Sequence, residues 1–323
     1  MRRTVLRGLF ALVLGALLVA GCSRDNMNVN APPSKSTSSG APSLFKGNAT
    51  GDPAVIATLL KVNQQLAAQG LNVAIESADF FTIGNGRPSA RLHQLPYRWV
   101  PNDPRRSADG DNIRYLVDVS RGTTISGLSS AQTEGAIDAA LSTWASDAAL
   151  KKVTLEKRPY TGIDPSIVDG LEGFGGIGTP FQADIVNAGW YPRGFFDAIG
   201  GPGGGSGILG VTFTFIFVDG NGNPSDINGD NYIDEAFTET YYNNTFGDPS
   251  NDRAGFPWAI NVPLPAIDVQ TVALHENGHA LDLGHFGPPP NAVMNPVYAG
   301  IRQSPFPPDD AGMNAVWSSW PNP

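Results

Sequence analysis

Cysteine is almost absent from this chain, because Cys22 is the only one in 323 residues. A single cysteine excludes an internal disulfide framework and any zinc cage built from thiolates. Packing, hydrogen bonds, or metals held by histidine and carboxylate must therefore stabilise the fold. Histidine is nearly as rare, with four residues, and three of the four fall within eleven positions, from His275 to His285.

Positive charge is also scarce. Lys and Arg together number 21 against 30 Asp and Glu, which gives a net charge of −9. The chain contains no cluster of five basic residues, so we do not expect a nucleic-acid partner. Charged residues make up only 16%, whereas 38 Gly and 27 Pro accompany 41% hydrophobic residues. This composition excludes a coiled coil, a collagen and a fully disordered chain, and it is typical of a loop-rich globular protein.

The longest apolar run lies at the N-terminus, over residues 9–20, and it comes after three arginines. A basic segment before a short apolar run is typical of an export signal rather than of a membrane-spanning helix. The run ends in Val19-Ala20-Gly21-Cys22, which resembles the bacterial lipobox, where the cysteine is acylated and becomes the first mature residue. The sequence thus predicts a signal peptide at 1–21 and a lipid anchor at Cys22. The folded part would then lie outside the cytoplasm, held to the bacterial cell envelope. An ordinary signal peptide with an incidental cysteine is the alternative.

The next segments differ in composition. Residues 22–50 are rich in Ser, Asn, Pro and Gly without apolar periodicity, which predicts a disordered tether. An amphipathic helix pattern runs from Pro53 to Gly70, and an extended stretch continues to Ile83. The segment 51–90 is too small for a core of its own, so we expect it to pack on the domain that begins at residue 91. It is interpreted as an N-terminal extension or as a prosegment that covers a cleft until it is cleaved.

From residue 91 to 323 the pattern indicates one mixed α+β domain. A strand is predicted near 113–119, a long helix with a serine cap over 129–150, and a second strand over 210–218. The glycine-rich loop at 200–210 lacks the Gly-Lys-Ser/Thr ending and the subsequent helix of a phosphate-binding loop. Nucleotide binding is therefore not expected.

Three histidines and a glutamate carry the strongest chemical signal. His275 and His279 are four residues apart, so in a helix both imidazoles face one tetrahedral ion. Glu276 lies beside the first ligand and can accept a proton from a metal-bound water. A chain reversal near residues 282–284 would bring His285 back as a third ligand and leave a fourth position for water. The pattern predicts a catalytic zinc site, although ligand types alone do not distinguish zinc from another divalent ion.

The stretch His275–His285, HENGHALDLGH, resembles the metzincin zinc endopeptidases, whose signature is HExxHxxGxxH with a methionine turn after it. Among them it is most similar to the matrixins, and Met294 in AVMNP matches the methionine that lies beneath the metal. The resemblance covers residues 91–323 and implies an α+β zincin-like fold. Such a fold has a twisted mixed sheet, a backing helix, an active-site helix and a C-terminal subdomain. Asp282 replaces the signature glycine at a turn that needs positive φ, which Asp tolerates better than most residues.

The resemblance also implies a function, which is hydrolysis of peptide bonds in extracytoplasmic proteins or peptides by a monomer. Zinc would be held by His275, His279 and His285, with Glu276 as the group that takes and returns the proton. The strand 211–218, as the edge strand above the cleft, would bind an extended substrate. Two other classes stay open. One is a non-catalytic surface module with structural zinc, and the other is a calcium-stabilised adhesion protein on a vestigial zincin core.

An acidic loop is the second candidate metal site. Its oxygen donors fall at positions 1, 3, 5, 7 and 9 of a calcium loop, and they come from Asp226, Asn228, Asp230, the carbonyl of Tyr232, and Asp234. The loop is incomplete, because Asn231 replaces the usual glycine and Phe237 replaces the usual glutamate. The sequence predicts a structural calcium ion here, and a polar turn without metal is the alternative.

Overall fold

The computed structural model describes residues 49–321, except 88, 94, 95, 108, 109 and 177. The predicted signal peptide, Cys22 and nearly all of the predicted tether lie outside the described residues. Within the described ranges, no helix has both the length and the apolar character needed to cross a membrane.

The described residues form seven α-helices and ten β-strands. The helices are α1 (Pro53–Ala68), α2 (Ser130–Ala145), α3 (Val168–Leu171), α4 (Arg193–Gly200), α5 (Gly204–Gly207), α6 (Val269–His279) and α7 (Pro307–Trp317). The strands are β1 (Val73–Thr82), β2 (Ala90–Arg91), β3 (Tyr97–Arg98), β4 (Ile113–Val117), β5 (Leu155–Arg158), β6 (Ile185–Tyr191), β7 (Ile208–Phe217), β8 (Ile233–Asn243), β9 (Trp258–Ala259) and β10 (Ile267–Asp268). Single 3-10 turns occur at Val119–Arg121 and Ala148–Leu150.

One large mixed sheet organises the fold. Its strand order is β2-β1-β7-β8-β6-β4-β5, and β3 pairs with β8 beside this path. Strands β5, β4, β6 and β8 run parallel, whereas β7 is antiparallel to β8 and β1 is antiparallel to β7. The α+β architecture expected from the sequence, with a mixed sheet, a backing helix and an active-site helix, is confirmed.

The expected edge strand is an interior strand. The sequence predicted that 211–218 would lie at the sheet edge, but β7 pairs with β8 on one side and with β1 on the other. All ten residues of β1 are buried, and the apolar face of α1 joins the same core through Val55, Leu59, Val62 and Leu66. The main sheet therefore contains strands from both sides of residue 91, where the sequence predicted the start of the catalytic domain. The sequence could not reveal this, because β1 and β7 are far apart in the chain.

Helix α2 supports the active-site helix from behind. Ser129 and Gln132 form the capping box that begins α2, as its serine cap predicted. The indole N–H of buried Trp144 donates to the carbonyl of Leu274 in α6 at 2.8 Å. Gly278 of α6 lies against Trp144, so the two helices approach closely at that point. This contact holds α6 against α2.

We expect Trp144→Phe to lower the free energy of unfolding by about 2 kcal/mol, because it leaves a gap and removes the hydrogen bond to Leu274. Urea denaturation measures the change. Ser142→Ala, on an exposed position of the same helix, is the control and should stay within about 0.5 kcal/mol of the parent. Equal losses in the two variants would contradict this role for Trp144.

Candidate metal centre and active site

The helix α6 and the turn after it bring the predicted ligands together. Asp268 caps the helix by accepting the Thr271 N–H at 2.9 Å. The helix ends at His279, and Asp282 then adopts φ +68°, which reverses the chain. This is the reversal that the sequence required, and it returns His285 to the two helical histidines.

The three imidazoles converge through their Nε2 atoms. His279 Nε2 lies 3.1 Å from the Nε2 of both other ligands, and the remaining pair, His275 and His285, is 3.3 Å apart. Tetrahedral zinc with Zn–N bonds of about 2.0–2.1 Å holds its nitrogens about 3.3–3.4 Å apart. The residues therefore fit a zinc ion. Within the described part of the chain, they form the one cluster of three or more His, Cys, Asp or Glu side chains close enough for a metal.

The other ring nitrogens are also held. His275 Nδ1 lies 2.8 Å from the Val293 carbonyl, and His279 Nδ1 lies 2.7 Å from the Leu283 carbonyl. A carbonyl only accepts, so both Nδ1 atoms carry the proton and the Nε2 lone pairs are left for a metal. His285 Nδ1 contacts the Ser89 hydroxyl at 3.3 Å.

The ligands are neutral near pH 7. Burial lowers the pKa of His275 well below its usual value and lowers the pKa of His279. Burial, reinforced by His279, lowers the pKa of His285 to about 3. A neutral imidazole is the form that binds zinc, so protons compete little for this site.

Glu276 lies inside the same site. Its Oε2 accepts the Thr212 hydroxyl at 2.6 Å, and Oε1 makes no hydrogen bond among the described residues. Burial raises the pKa of Glu276 well above its usual value, opposed by the Thr212 hydrogen bond. Gly210 of β7 faces the carboxylate, and a Cβ there would lie 2.5 Å from Oε1. Thr212 of β7 thus binds Oε2, and the absence of a side chain at Gly210 leaves space beside Oε1.

Met294 lies beneath α6, where the predicted methionine turn placed it. It is buried, and its sulfur packs against Gly278, where any Cβ would collide. The Asp309 carboxylate of α7 accepts the N–H groups of Val293 and Met294 at 2.8 and 3.1 Å. Sequence reasoning missed this role of Asp309, although an acid in the first turn of a helix is a general signal for hydrogen bonds to backbone N–H groups.

Asp282, which replaces the signature glycine, has a buried carboxyl group. Its carboxylate oxygens are buried near those of Glu235 on β8, a neighbour that the sequence did not predict. Burial raises the pKa of Asp282 to about 6, and burial together with Asp282 raises the pKa of Glu235 well above its usual value. Ionisation of both buried carboxyls at once is therefore unfavourable.

Two carboxylates of the acidic loop contact arginines from outside the loop. Arg98 donates to Asp230 at 2.6 Å, and Arg105 donates to Asp234 at 2.6 Å. The Asp226 carboxylate accepts backbone N–H groups of its own loop, at 3.1 Å from Asp230 and Asn231. The remaining predicted donors belong to the same internal network, through the Asn228 amide and the Tyr232 N–H on Asp230. Structural calcium at this loop stays a prediction, with the polar turn as its alternative.

Comparison with known proteins agrees with the geometry of the histidine site. The family model of the matrixins, peptidase M10, matches residues 209–318. This region runs from β7 to α7 and includes the three ligands, Glu276 and Met294. The match supports a zinc metallopeptidase family for this region. No curated protein matches the chain.

We expect zinc to raise the melting temperature of the chain, because it binds the folded state alone. His285→Gln removes one ligand and should abolish most of the rise. His93→Gln is the matched control, since His93 lies outside the triad and contacts Glu76 at 2.5 Å. Differential scanning calorimetry with and without zinc measures both, and an undiminished rise in His285→Gln would refute the assigned ligand set.

Proposed function

We propose that this chain is a zinc-dependent endopeptidase that hydrolyses peptide bonds in extracytoplasmic protein substrates. The observation that carries the proposal is the approach of three Nε2 atoms to within 3.3 Å, with Glu276 next to the first ligand on α6. The matrixin match supports a metallopeptidase, and an endopeptidase on exported proteins is our extension of it.

When bound, zinc supplies Lewis acidity to the scissile carbonyl and a positive charge that favours the ionised form of Glu276. Glu276 Oε1 is free to accept a proton from the attacking water and to return it to the leaving amine. Thr212 keeps the other oxygen in place during both transfers. The carbonyl acceptors on His275 and His279 keep the ligands oriented throughout.

A non-catalytic binding protein is the second candidate, and one observation favours it. His275 and Glu276 have no exposed surface, whereas an active peptidase must admit a peptide to both. Hydrolysis itself distinguishes the two candidates.

Glu276→Ala should lower kcat about 10³-fold at unchanged zinc content, because it removes the proton acceptor. The assay measures cleavage of casein by the soluble chain from Ser23 onward, before and after brief trypsin treatment that nicks exposed loops. Glu134→Ala, on the surface of α2, is the control and should cleave like the parent. Near-normal turnover by Glu276→Ala would exclude the proposed mechanism.

We also propose that the protein is anchored in the bacterial cell envelope by a lipid on Cys22. The support is the N-terminal sequence alone, with its basic segment, its short apolar run and Val19-Ala20-Gly21-Cys22. One acyl chain binds a membrane weakly, so stable anchoring requires more than one.

Radiolabelled palmitate should label the parent chain in a bacterial host and should not label Cys22→Ala. Cell fractionation should move the Cys22→Ala protein from the membrane to the soluble fraction. Equal labelling of the two proteins would show that the lipid is not on this cysteine.

A further inference from the structure

The end of β1 is hydrogen bonded on both of its edges. On one edge it is antiparallel to β7, with Phe81 opposite Gly210. On the other edge it runs parallel to the segment Pro296–Tyr298, which comes directly after the methionine turn. Thr82 donates its N–H to the Pro296 carbonyl at 3.2 Å and accepts the Tyr298 N–H at 2.7 Å. An extended peptide also binds the edge of a sheet through main-chain hydrogen bonds of this kind.

The side chain of Phe81 fills the space next to the first metal ligand. Its ring stacks on His275 with centroids 3.9 Å apart and planes 10° apart. Tyr298 closes the other side of the ring, edge-on at 5.9 Å. Side chains alternate along a strand, so Asp79 lies on the same face as Phe81, and its charge acts on His279 and His285. Two successive inward positions of β1 therefore face the histidine site.

The backbone of β1 also reaches the catalytic carboxylate. The N–H of Phe81 lies beside the Glu276 carboxyl group and opposes the effect of burial on its pKa. In the mechanism proposed above, Glu276 returns its proton to the amine nitrogen of the broken bond. A substrate held in the register of β1 would present a backbone nitrogen to Glu276 at the position of Phe81.

Further contacts hold this segment in place. The Asn63 side chain of α1 bonds the Ile75 backbone twice, at 2.6 and 3.0 Å, so α1 and β1 are linked. Beyond β1, Ser89 contacts the third ligand, His285. Glu276 is 0% exposed and His279 is 1% exposed beneath this cover.

We infer that β1 occupies the peptide-binding cleft of the proposed peptidase as a substrate-like strand, with Phe81 in the pocket that selects the residue after the cleaved bond. This inference rests on the proposed function. The folded chain therefore holds its metal centre closed, and the cleft opens when the end of β1 leaves β7. The peptides that the open cleft cleaves carry a large aromatic or apolar side chain at the position of Phe81.

The test compares Phe81→Ala with Phe80→Ala in the zinc-loaded soluble chain. The two residues are neighbours in one buried strand, and both substitutions remove the same atoms. Their side chains, however, lie on opposite faces of the sheet. The first readout is the rate at which zinc is transferred to an excess of a coloured chelator. Each variant is measured at the same number of degrees below its own melting temperature. We expect Phe81→Ala to transfer zinc at least about 10-fold faster than Phe80→Ala, and Phe81→Leu to lie between the parent and Phe81→Ala. Equal rates in the two alanine variants would overturn the inference.

The second readout is cleavage of casein, with sequencing of the new N-termini. Phe81→Ala should cleave faster than the parent, and the new N-termini should be enriched in Phe, Tyr, Leu and Met. Small or charged residues at the new N-termini would overturn the assignment of the pocket. Faster zinc transfer without any cleavage would support the closed cleft and refute the peptidase function.

Discussion

The active site depends on one constraint, which is that three imidazoles must point their Nε2 atoms at a single position. Two of these rings are fixed by α6 and by carbonyl acceptors on their Nδ1 atoms. The third depends on the reversal at Asp282, a residue with positive φ and a buried carboxyl. The packing of Trp144 and Met294 against α6 serves this constraint, because a shift of the helix would separate the ligands.

The second half of the site comes from the sheet. β7 supplies Thr212, which orients Glu276, and Gly210, which leaves space for its carboxylate. β1 completes the sheet at this position and also covers the metal ligands, so the strand that stabilises the core is the strand that closes the cleft. Stability and access to the metal centre are therefore coupled in this chain. Opening the cleft requires breaking part of the main sheet.

The sequence revealed the parts of the site that local patterns encode. The His275 and His279 spacing, the Ser129 cap and the turn at Asp282 each depend on residues within a few positions, and the structure has all three. The missed contacts join distant segments, such as Thr212 to Glu276, Ser89 to His285 and Glu235 to Asp282. The position of β1 beside β7 was missed for the same reason. The arginines that bind the carboxylates of the acidic loop also come from distant positions, so these contacts were missed as well.

X-ray absorption at the zinc edge tests the central claim most directly, because it reports the ligands of the bound ion. We predict one zinc per chain with three imidazole nitrogens at about 2.0–2.1 Å and one further light ligand. Loss of one imidazole shell in His285→Gln would complete the assignment. A sulfur ligand, an oxygen-only shell or the absence of stoichiometric zinc would contradict it.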